Sequence, residues 1–186
     1  MTRIIGGTAG GRRIRTPPGE RTRPTADRVR EALFSAWESR LGSLEGLAFL
    51  DLYAGSGAVG LEARSRGARP VVLVEQDRRT ALLVEDNARS LGMDEVTVVP
   101  TAVARHLAGR PRPVDVVYLD PPYSAPASQV RDDLTALGAG GWLRPGSVVV
   151  VERASRDREP FWPDDFDPTR ERRYGETVLH TAVWPG

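Results

Sequence analysis

The sequence of 186 residues contains no cysteine, no lysine and no long hydrophobic run. The absence of cysteine excludes disulfides, thiolate catalysis and zinc sites with Cys ligands, and it fits a reducing compartment. No apolar segment approaches the roughly 20 residues that span a bilayer, and no signal peptide is recognisable, so we expect a cytoplasmic protein without a membrane anchor. His106 and His180 are isolated from any second ligand at metal-binding spacing, and we therefore expect no metal site.

All 26 basic residues are arginine, and they are unevenly distributed. Residues 1–30 carry a net charge of +6 and the rest of the chain carries −5, although the whole chain is at only +1. A basic arm on a mildly acidic body indicates a polyanionic partner held at one end of the molecule. A solvated, fraying terminus would have the same composition. Any phosphate contact would be made by a planar guanidinium group, since the chain has no lysine.

Beyond the arm, apolar strand-like segments alternate with amphipathic helices. The Val-rich segments are almost wholly apolar, as is typical of parallel strands covered on both faces. Repeated strand–helix units predict an α/β fold with a doubly wound, mostly parallel sheet, whose last strand pairs antiparallel. We predict a short basic hairpin or arm in residues 1–24 and one larger domain in residues 25–186. The predicted strands are 47–53, 71–75, 96–99, 114–119, 148–151 and 177–184, and the predicted helices are 25–41, 58–66 and 78–91.

A glycine-rich loop follows the first strand of this domain, in the segment Asp51-Leu-Tyr-Ala-Gly-Ser-Gly-Ala-Val-Gly60. Its G-x-G-x-x-G pattern lies between a strand and a helix, and Glu75 ends the next strand, 20 residues after Gly55. Glycine permits a tight turn and close backbone approach, and the acid can bind ribose hydroxyls, so the pattern indicates an adenosine-containing cofactor. The predicted cofactor-binding residues of this region are Asp51, Tyr53, Ala54, Gly55, Ser56, Gly57, Glu75 and Gln76.

Asp51 helps to identify the cofactor, because it lies at the carboxyl end of the strand beside the loop. NAD would bring a pyrophosphate to this turn, where a nearby carboxylate would repel it. S-adenosylmethionine has no phosphate and carries a cationic sulfonium and an ammonium group, which a carboxylate attracts. Asp51 therefore favours S-adenosylmethionine. Two alternatives stay open: Asp51 could be a structural acid that binds loop amides, and Glu75 could be a surface acid.

The tetrapeptide Asp120-Pro121-Pro122-Tyr123 directly follows a strand, at the edge where open α/β sheets bind ligands. Its two prolines fix the backbone and remove local N–H donors. The amine of a nucleobase is a poor nucleophile, because its lone pair is delocalised into the ring. We expect Asp120 and the Pro121 carbonyl to accept its two N–H groups and to direct the lone pair at a methyl donor, while Tyr123 stacks on the extruded base. A Pro-Pro pair that merely ends a strand is the structural alternative.

The chain resembles the RsmD family of 16S ribosomal RNA guanine-N2-methyltransferases, within the class I S-adenosylmethionine-dependent methyltransferases. The cofactor motifs are shared widely, so the basic arm and residues 23–34 give the resemblance its specificity. The matching stretches span nearly the whole chain and are Arg3-Ile-Ile-Gly-Gly7, residues 23–34, Asp51-Leu-Tyr-Ala-Gly-Ser-Gly57, Gly60-Leu-Glu-Ala63, Ser65-Arg-Gly-Ala68, Asp120-Pro-Pro-Tyr123 and Arg173-Tyr-Gly-Glu-Thr177.

The resemblance implies a Rossmann-like, seven-stranded sheet and a monomer that methylates the N2 amine of a guanine in 16S rRNA, within a partly assembled small ribosomal subunit. The donor would be S-adenosylmethionine and the product S-adenosylhomocysteine. Thr101 and Ala102 would lie beside the adenine; many relatives have Asp or Asn at the position of Thr101. The residues that the resemblance makes candidates for RNA contact are Arg3, Arg12, Arg13, Arg23 and Arg28.

Other functions also fit parts of the pattern. The tetrapeptide would serve equally for a DNA adenine or a small amine, although the chain shows no separate target-recognition region. An RNA-binding assembly factor with a vestigial cofactor pocket would explain the arm, but the intact Asp51, Glu75 and Asp120 argue against it. An NAD oxidoreductase is disfavoured by Asp51.

Overall fold

The computed structural model describes residues 1–18 and 24–186, except for the side chains of residues 24 and 25; the predicted RNA contact Arg23 lies outside the described residues. The described chain forms a short hairpin followed by alternating helices and strands. The helices are α1 (Pro24–Leu41), α2 (Ala58–Ser65), α3 (Arg78–Leu91), α4 (Val103–Leu107) and α5 (Ala127–Ala139). The strands are β1 (Thr2–Arg3), β2 (Arg13–Ile14), β3 (Phe49–Leu52), β4 (Val71–Val74), β5 (Val96–Val99), β6 (Val114–Leu119), β7 (Leu143–Ala154), β8 (Asp167–Tyr174) and β9 (Thr177–Val183).

Strands β3 to β9 form one seven-stranded sheet in the order β5-β4-β3-β6-β7-β9-β8. The first five strands in this order are parallel, whereas β9 runs antiparallel to both β7 and β8. The chain winds outwards from β3 to β5 and then returns to place β6 on the other side of β3. This reversal opens a crevice at the carboxyl ends of β3 and β6, where doubly wound sheets bind ligands. The predicted doubly wound, mostly parallel sheet with an antiparallel last strand is confirmed.

Both faces of the sheet are covered, which explains the apolar composition of its central strands. On one face, α1 packs Trp37 edge-on against the rings of Phe34, Phe49 and Tyr118, at centroid distances of 5.0, 5.4 and 6.2 Å. On the other face, α4 and α5 contribute to a second buried cluster with β3, β6 and β7. Edge-on aromatic pairs each add about 0.5–1.5 kcal/mol beyond their burial, so the pairs with Phe49 of β3 and Tyr118 of β6 help to hold α1 against the sheet beside the crevice.

A buried carboxylate docks the N-terminal hairpin on the domain. Glu62 on α2 is fully buried and accepts hydrogen bonds from the amides of Ile5 and Gly6, both at 3.1 Å. Its charge is balanced by Arg30 Nε at 3.1 Å and Arg66 Nη2 at 2.8 Å. Because a buried charge is tolerated only when it is paired and hydrogen-bonded, this cluster joins the hairpin to α1 and α2.

The sequence prediction omitted α4, α5 and β8. Val130, Leu134 and Leu137 of α5 are buried at helical spacing, a signal present in the sequence. By contrast, β8 is almost entirely exposed and its pairing with β9 shifts register near Pro168, so it has no alternating pattern. None of the helices within the described ranges is long and apolar enough to span a membrane.

Candidate active site

Most of the cofactor-binding and catalytic residues predicted from the sequence line one cavity at the carboxyl edge of the sheet. The cavity has a volume of about 810 Å³, large enough for a drug-sized ligand. It is formed by the loops after β3 and β6, the ends of β4 and β7, the first half of α1 and the turn between β8 and β9. The predicted cofactor-binding and catalytic residues in its walls are Asp51, Tyr53, Ala54, Gly55, Ser56, Glu75, Gln76, Asp120, Pro121, Pro122 and Tyr123.

The loop after β3 turns so sharply that its backbone enters the left-handed region, with φ at 66° for Tyr53 and 78° for Gly57. A Cβ at Gly57 would lie 2.7 Å from Val84 Cγ1, so a side chain there would clash with α3 as well as strain the backbone. A Cβ at Gly60 would lie 2.6 Å from Leu73 Cδ2. The second and third glycines of the motif therefore allow α2 to pack closely on β4 and α3.

Asp51 lies buried beneath this loop, with only 1% of its surface exposed. Its Oδ2 atom accepts a hydrogen bond from the Gly60 amide at 2.8 Å, whereas Oδ1 has no hydrogen-bond partner among the described residues. Burial raises the pKa of Asp51 from 3.8 to about 7. The hydrogen bond from the Gly60 amide lowers this pKa, and the negative charge of Glu75 raises it by a smaller amount. Because an unsatisfied buried oxygen is costly, a cationic or hydrogen-donating ligand would stabilise this carboxylate.

Glu75, which directly follows β4, orders the surrounding backbone with both of its carboxylate oxygens. Its Oε2 atom accepts from the Gly55 amide at 2.9 Å, and Oε1 accepts from the Asp77 amide at 2.8 Å. These bonds join the glycine loop to the start of α3. A carboxylate oxygen can accept more than one hydrogen bond, so Glu75 keeps the capacity to bind ligand hydroxyls.

The tetrapeptide forms the facing wall and begins immediately after β6. The carbonyl of Pro122 accepts from the Ala125 amide at 2.8 Å and closes a turn, whereas the described residues provide no hydrogen bond to the Pro121 carbonyl. Tyr123 is 59% exposed and lies at the rim of the cavity. The turn is supported from β7 by Arg153, whose guanidinium donates to the Ala125 carbonyl at 2.8 Å.

Tyr53 is anchored away from the loop by α5. Its hydroxyl donates to Asp133 Oδ2 at 2.6 Å and accepts from Gln129 Nε2 at 3.1 Å. Burial and the bond to Asp133 raise the pKa of Tyr53, and burial also raises the pKa of Asp133. The hydroxyl is therefore committed to this network, and Tyr53 presents its ring and backbone to the cavity.

Three of the predicted cofactor residues do not line the cavity: Gly57, Thr101 and Ala102. Gly57 faces the packed interior, and Val103, the first residue of α4, lines the cavity in place of its two predecessors. Contact of Thr101 and Ala102 with an adenine stays a prediction. Within residues 1–18 and 24–186, no group of three or more acidic or histidine side chains is arranged to hold a metal ion.

The sequence prediction missed the wall formed by β6, β7 and the start of β9. There the Tyr118 hydroxyl donates to Glu152 Oε2 at 2.5 Å, and both residues line the cavity with Thr177. Burial raises the pKa of both Tyr118 and Glu152. A signal for Glu152 does exist in the sequence, because it follows four consecutive valines just as Glu75 follows the apolar strand β4.

Arg30 is a second residue of the cavity wall that the sequence did not single out for this site. Its side chain is only 7% exposed, and it lies 3.1 Å from Asp27 Oδ1 as well as pairing with Glu62. The guanidinium also donates to the Arg3 carbonyl at 2.5 Å. Burial lowers the pKa of Arg30 despite these two acids. Arg30 thus connects the hairpin, α2 and the cavity.

The predicted RNA contacts have unequal surroundings. Arg12 donates to two carbonyls in the last turn of α3, at 2.9 and 2.5 Å, and therefore holds the hairpin against that helix. Arg3 lies 3.9 Å from Asp27 and keeps 65% of its side chain exposed. Arg13 and Arg28 are exposed. All four described candidates are exposed, and Arg12 differs from the others because its guanidinium group is bound to the end of α3.

The chain matches known proteins over nearly its whole length. The family described as "Conserved hypothetical protein 95" matches residues 2–183. The ribosomal RNA small subunit methyltransferase D of Escherichia coli is 34% identical, over 95% of this chain and 86% of its own length. Its Haemophilus influenzae counterpart is 31% identical, over 93% of this chain and 89% of its own length. The solved structure of Escherichia coli yhhF, a proposed methyltransferase, superposes with a TM-score of 0.87 at 30% identity, covering 100% of this chain and 98% of that one.

The strand order, the cavity at the switch point and these similarities define the class of the protein: it is a methyltransferase with the class I fold. More narrowly, the chain belongs to the family of the ribosomal RNA small subunit methyltransferase D proteins. The family expected from the sequence motifs is therefore confirmed.

Proposed function

We propose that the protein transfers a methyl group from S-adenosylmethionine to the N2 amine of a guanine in 16S rRNA of the small ribosomal subunit. The observation that carries the proposal is the convergence of Asp51, Glu75 and Asp120-Pro-Pro-Tyr123 on one cavity. The names of the Escherichia coli and Haemophilus influenzae relatives support the choice of ribosomal RNA. The enzyme would act in the cytoplasm as a monomer, on a partly assembled subunit, and release S-adenosylhomocysteine.

The chemistry of the cavity fits the donor. S-adenosylmethionine, when bound, supplies an electrophilic methyl group on a positively charged sulfur. Asp51 Oδ1, unpartnered among the described residues, would attract the cationic methionine end of the molecule, and Glu75 would accept from its ribose hydroxyls. A nearby cation favours the ionised form of a carboxylic acid, so the donor would lower the pKa of Asp51, which is about 7.

Asp120 and Pro121 would bind the target amine. Their carboxylate and carbonyl oxygens would accept its two N–H groups, so that the nitrogen lone pair leaves conjugation with the ring and points towards the methyl donor. The carbonyl of Pro122 already accepts from Ala125, which favours Pro121 for this role and gives Pro122 the task of fixing the turn. The nitrogen carries an extra proton after methyl transfer, and Asp120 or water would accept it.

Tyr123 would stack on the target base after extrusion from the RNA. An enzyme that modifies a base must first remove it from its stack, and a flat side chain at the site entrance offsets part of the lost stacking. Aromatic side chains take this role in many proteins that bind single-stranded RNA. Tyr123 is 59% exposed and lines the same cavity as Asp120, a position that fits such a contact.

The basic hairpin of residues 1–24 would bind the RNA backbone beside the catalytic domain of residues 25–186. Arg3 and Arg13 of the hairpin, together with Arg28 of α1, would contact phosphates directly, and Arg12 would act by holding the hairpin in position. Arg23 stays a candidate. Guanidinium groups that neutralise phosphates release counterions, so the affinity for RNA should fall steeply with salt.

Incorporation of labelled methyl groups tests this proposal on three polymers: unmodified small ribosomal subunits, protein-free 16S RNA and duplex DNA. We expect label in ribosomal RNA and none in DNA, with the better of the two RNA samples showing whether ribosomal proteins present the site. Label confined to DNA would reassign the enzyme to adenine methylation. Cofactor binding without label in any sample would instead favour an RNA-binding assembly factor.

A further inference from the structure

Glu152 is a second acid beside the proposed amine site. Strands β6 and β7 are parallel neighbours in which Leu119 pairs with Val151, so Asp120 and Glu152 occupy the next positions along the two strands. Neighbouring strands lie about 4.8 Å apart. Both residues line the cavity, and two carboxylates therefore face the space in which the target base would lie.

The hydroxyl groups of Tyr118 and Thr177 lie beside the Glu152 carboxylate. The first donates to Oε2 at 2.5 Å, and the second, on β9, favours the ionised form of the carboxylate. Tyr118 is itself only 4% exposed and packs edge-on against Trp37. Because the first donor belongs to a tightly packed side chain, the carboxylate has a defined direction, and its remaining lone pairs can accept from a ligand.

The electrostatic surroundings of Glu152 favour a ligand that is neutral and offers a hydrogen-bond donor, and they disfavour another anion. Burial raises the pKa of Glu152, and the hydroxyls of Tyr118 and Thr177 oppose that shift by binding the ionised form. A donor on the base would continue this effect and complete the hydrogen bonding of the carboxylate. The Watson–Crick edge of a purine is the part of a base that supplies such donors.

We propose that Glu152 accepts the N1–H of the target guanine and thereby selects guanine over purines that have no proton on N1. The inference rests on the proposed function, in which Asp120 binds the N2 amine. The N1–H and the N2 amine are adjacent donors on one edge of guanine, and two neighbouring acids match them. Adenine and 2-aminopurine present a lone pair at N1, which a carboxylate repels. A buried acceptor that is left unpaired discriminates strongly against such an analogue.

The test compares guanine with 2-aminopurine, placed at the nucleotide that the enzyme methylates. Because 2-aminopurine keeps the 2-amino group but has an unprotonated N1, both bases offer the same nucleophile. We expect the wild-type protein to prefer guanine by at least about 100-fold in kcat/KM. Equal rates on the two bases would overturn the assignment, and this comparison requires no variant to fold.

The variant Glu152→Gln isolates the N1 contact. Its amide oxygen can still accept from Tyr118, while its NH2 group would donate to the unprotonated N1 of 2-aminopurine and oppose the N1–H of guanine. We expect the preference for guanine to fall by at least about 30-fold, with the affinity for S-adenosylmethionine within about 2-fold of wild type. The matched control is Glu176→Gln, an exposed acid of the same cavity, which should leave the preference unchanged.

The outcomes separate the two proposals. Methylation of guanine N2 with the same preference in the wild type and Glu152→Gln would overturn the role of Glu152 and leave the proposed function intact. Methylation of any other atom by the wild type would overturn both. An equal loss of preference in Glu176→Gln would show that the cavity charge, and not a contact of Glu152 with N1, sets the preference.

Discussion

The two halves of the cavity are built by different kinds of interaction. On the donor side, Asp51 and Glu75 accept hydrogen bonds from backbone amides that are 9, 20 and 2 residues away in sequence. On the target side, Tyr118 pairs with Glu152 across 34 residues, and Arg153 supports the tetrapeptide across 28. The donor half is thus defined by local motifs, and the target half by which strands become neighbours in the sheet.

The largest effect should come from the residue where the two halves meet. Asp120→Ala removes an acceptor for the target amine, so we expect kcat to fall by about 10³-fold. The affinity for S-adenosylmethionine, measured by calorimetry, should stay within about 2-fold, because the donor contacts lie on β3 and β4. Asp132→Ala, which removes an exposed acid on α5, is the matched control. Wild-type turnover of Asp120→Ala would contradict the proposed role.

A smaller effect is expected at Asp51, whose carboxylate binds S-adenosylmethionine in our proposal but destabilises the folded chain when no S-adenosylmethionine is bound. The pKa of Asp51 rises from 3.8 to about 7 on folding, so the folded chain without donor binds an extra proton between these values. The contribution of Asp51 to the free energy of unfolding is therefore most favourable at low pH. As the pH rises from about 4 through 7, this contribution decreases by about 4 kcal/mol in all.

Asp51→Asn tests this trade-off directly. At pH 8 we expect the variant without donor to be more stable than wild type by up to about 4 kcal/mol, and the difference should disappear below about pH 4. Its affinity for S-adenosylmethionine should fall about 10- to 100-fold, because one charged hydrogen-bond partner is lost. Thermal unfolding at several pH values and calorimetry measure the two effects. A variant that loses stability at pH 8 while keeping its affinity would show that Asp51 is only a structural acid.

The contrast between the halves also explains how much the sequence could predict. Strand β3 and the glycine loop form one continuous sequence pattern, and Glu75 directly follows the next apolar strand, so the donor half was predictable. The central strands were predictable as well, and the predicted bounds of α3, β5 and β6 agree with the structure. The tetrapeptide was recognised for the same reason. Glu152 was missed although it follows four valines, because its place beside Asp120 depends on β7 lying next to β6, and strand order is not written in any local pattern.

The hairpin shows the same limit on prediction. Its excess of arginine indicated a partner for the whole arm, but the charge pattern could not separate Arg12, which binds carbonyls of α3, from the exposed Arg13. Nor could it predict that Glu62, within a helical segment, would be buried as the anchor of the hairpin. The residue type alone does not distinguish these roles, because an arginine or a glutamate has the same chemical groups on the surface and in a structural contact. The tertiary contacts decide which role each residue has.

The smallest effect separates two neighbouring arginines of the hairpin. Arg13→Glu should weaken RNA binding by about 10-fold at low salt and reduce the dependence on salt, with no change in Tm, because its side chain is exposed. Arg12→Glu should lower Tm by several degrees, since it breaks two bonds to the end of α3. Filter binding at two salt concentrations and thermal unfolding provide the measurements. Identical behaviour of the two variants would show that the hairpin does not divide these roles.

Digestion of the methylated RNA to nucleosides tests the central claim most directly, because it identifies both the base and the atom that receive the methyl group. The wild-type protein, incubated with labelled S-adenosylmethionine and unmodified small subunits, should place its label in N2-methylguanosine. Label in any other nucleoside, such as N6-methyladenosine, would contradict the account of a cavity in which Asp120 binds the N2 amine of guanine.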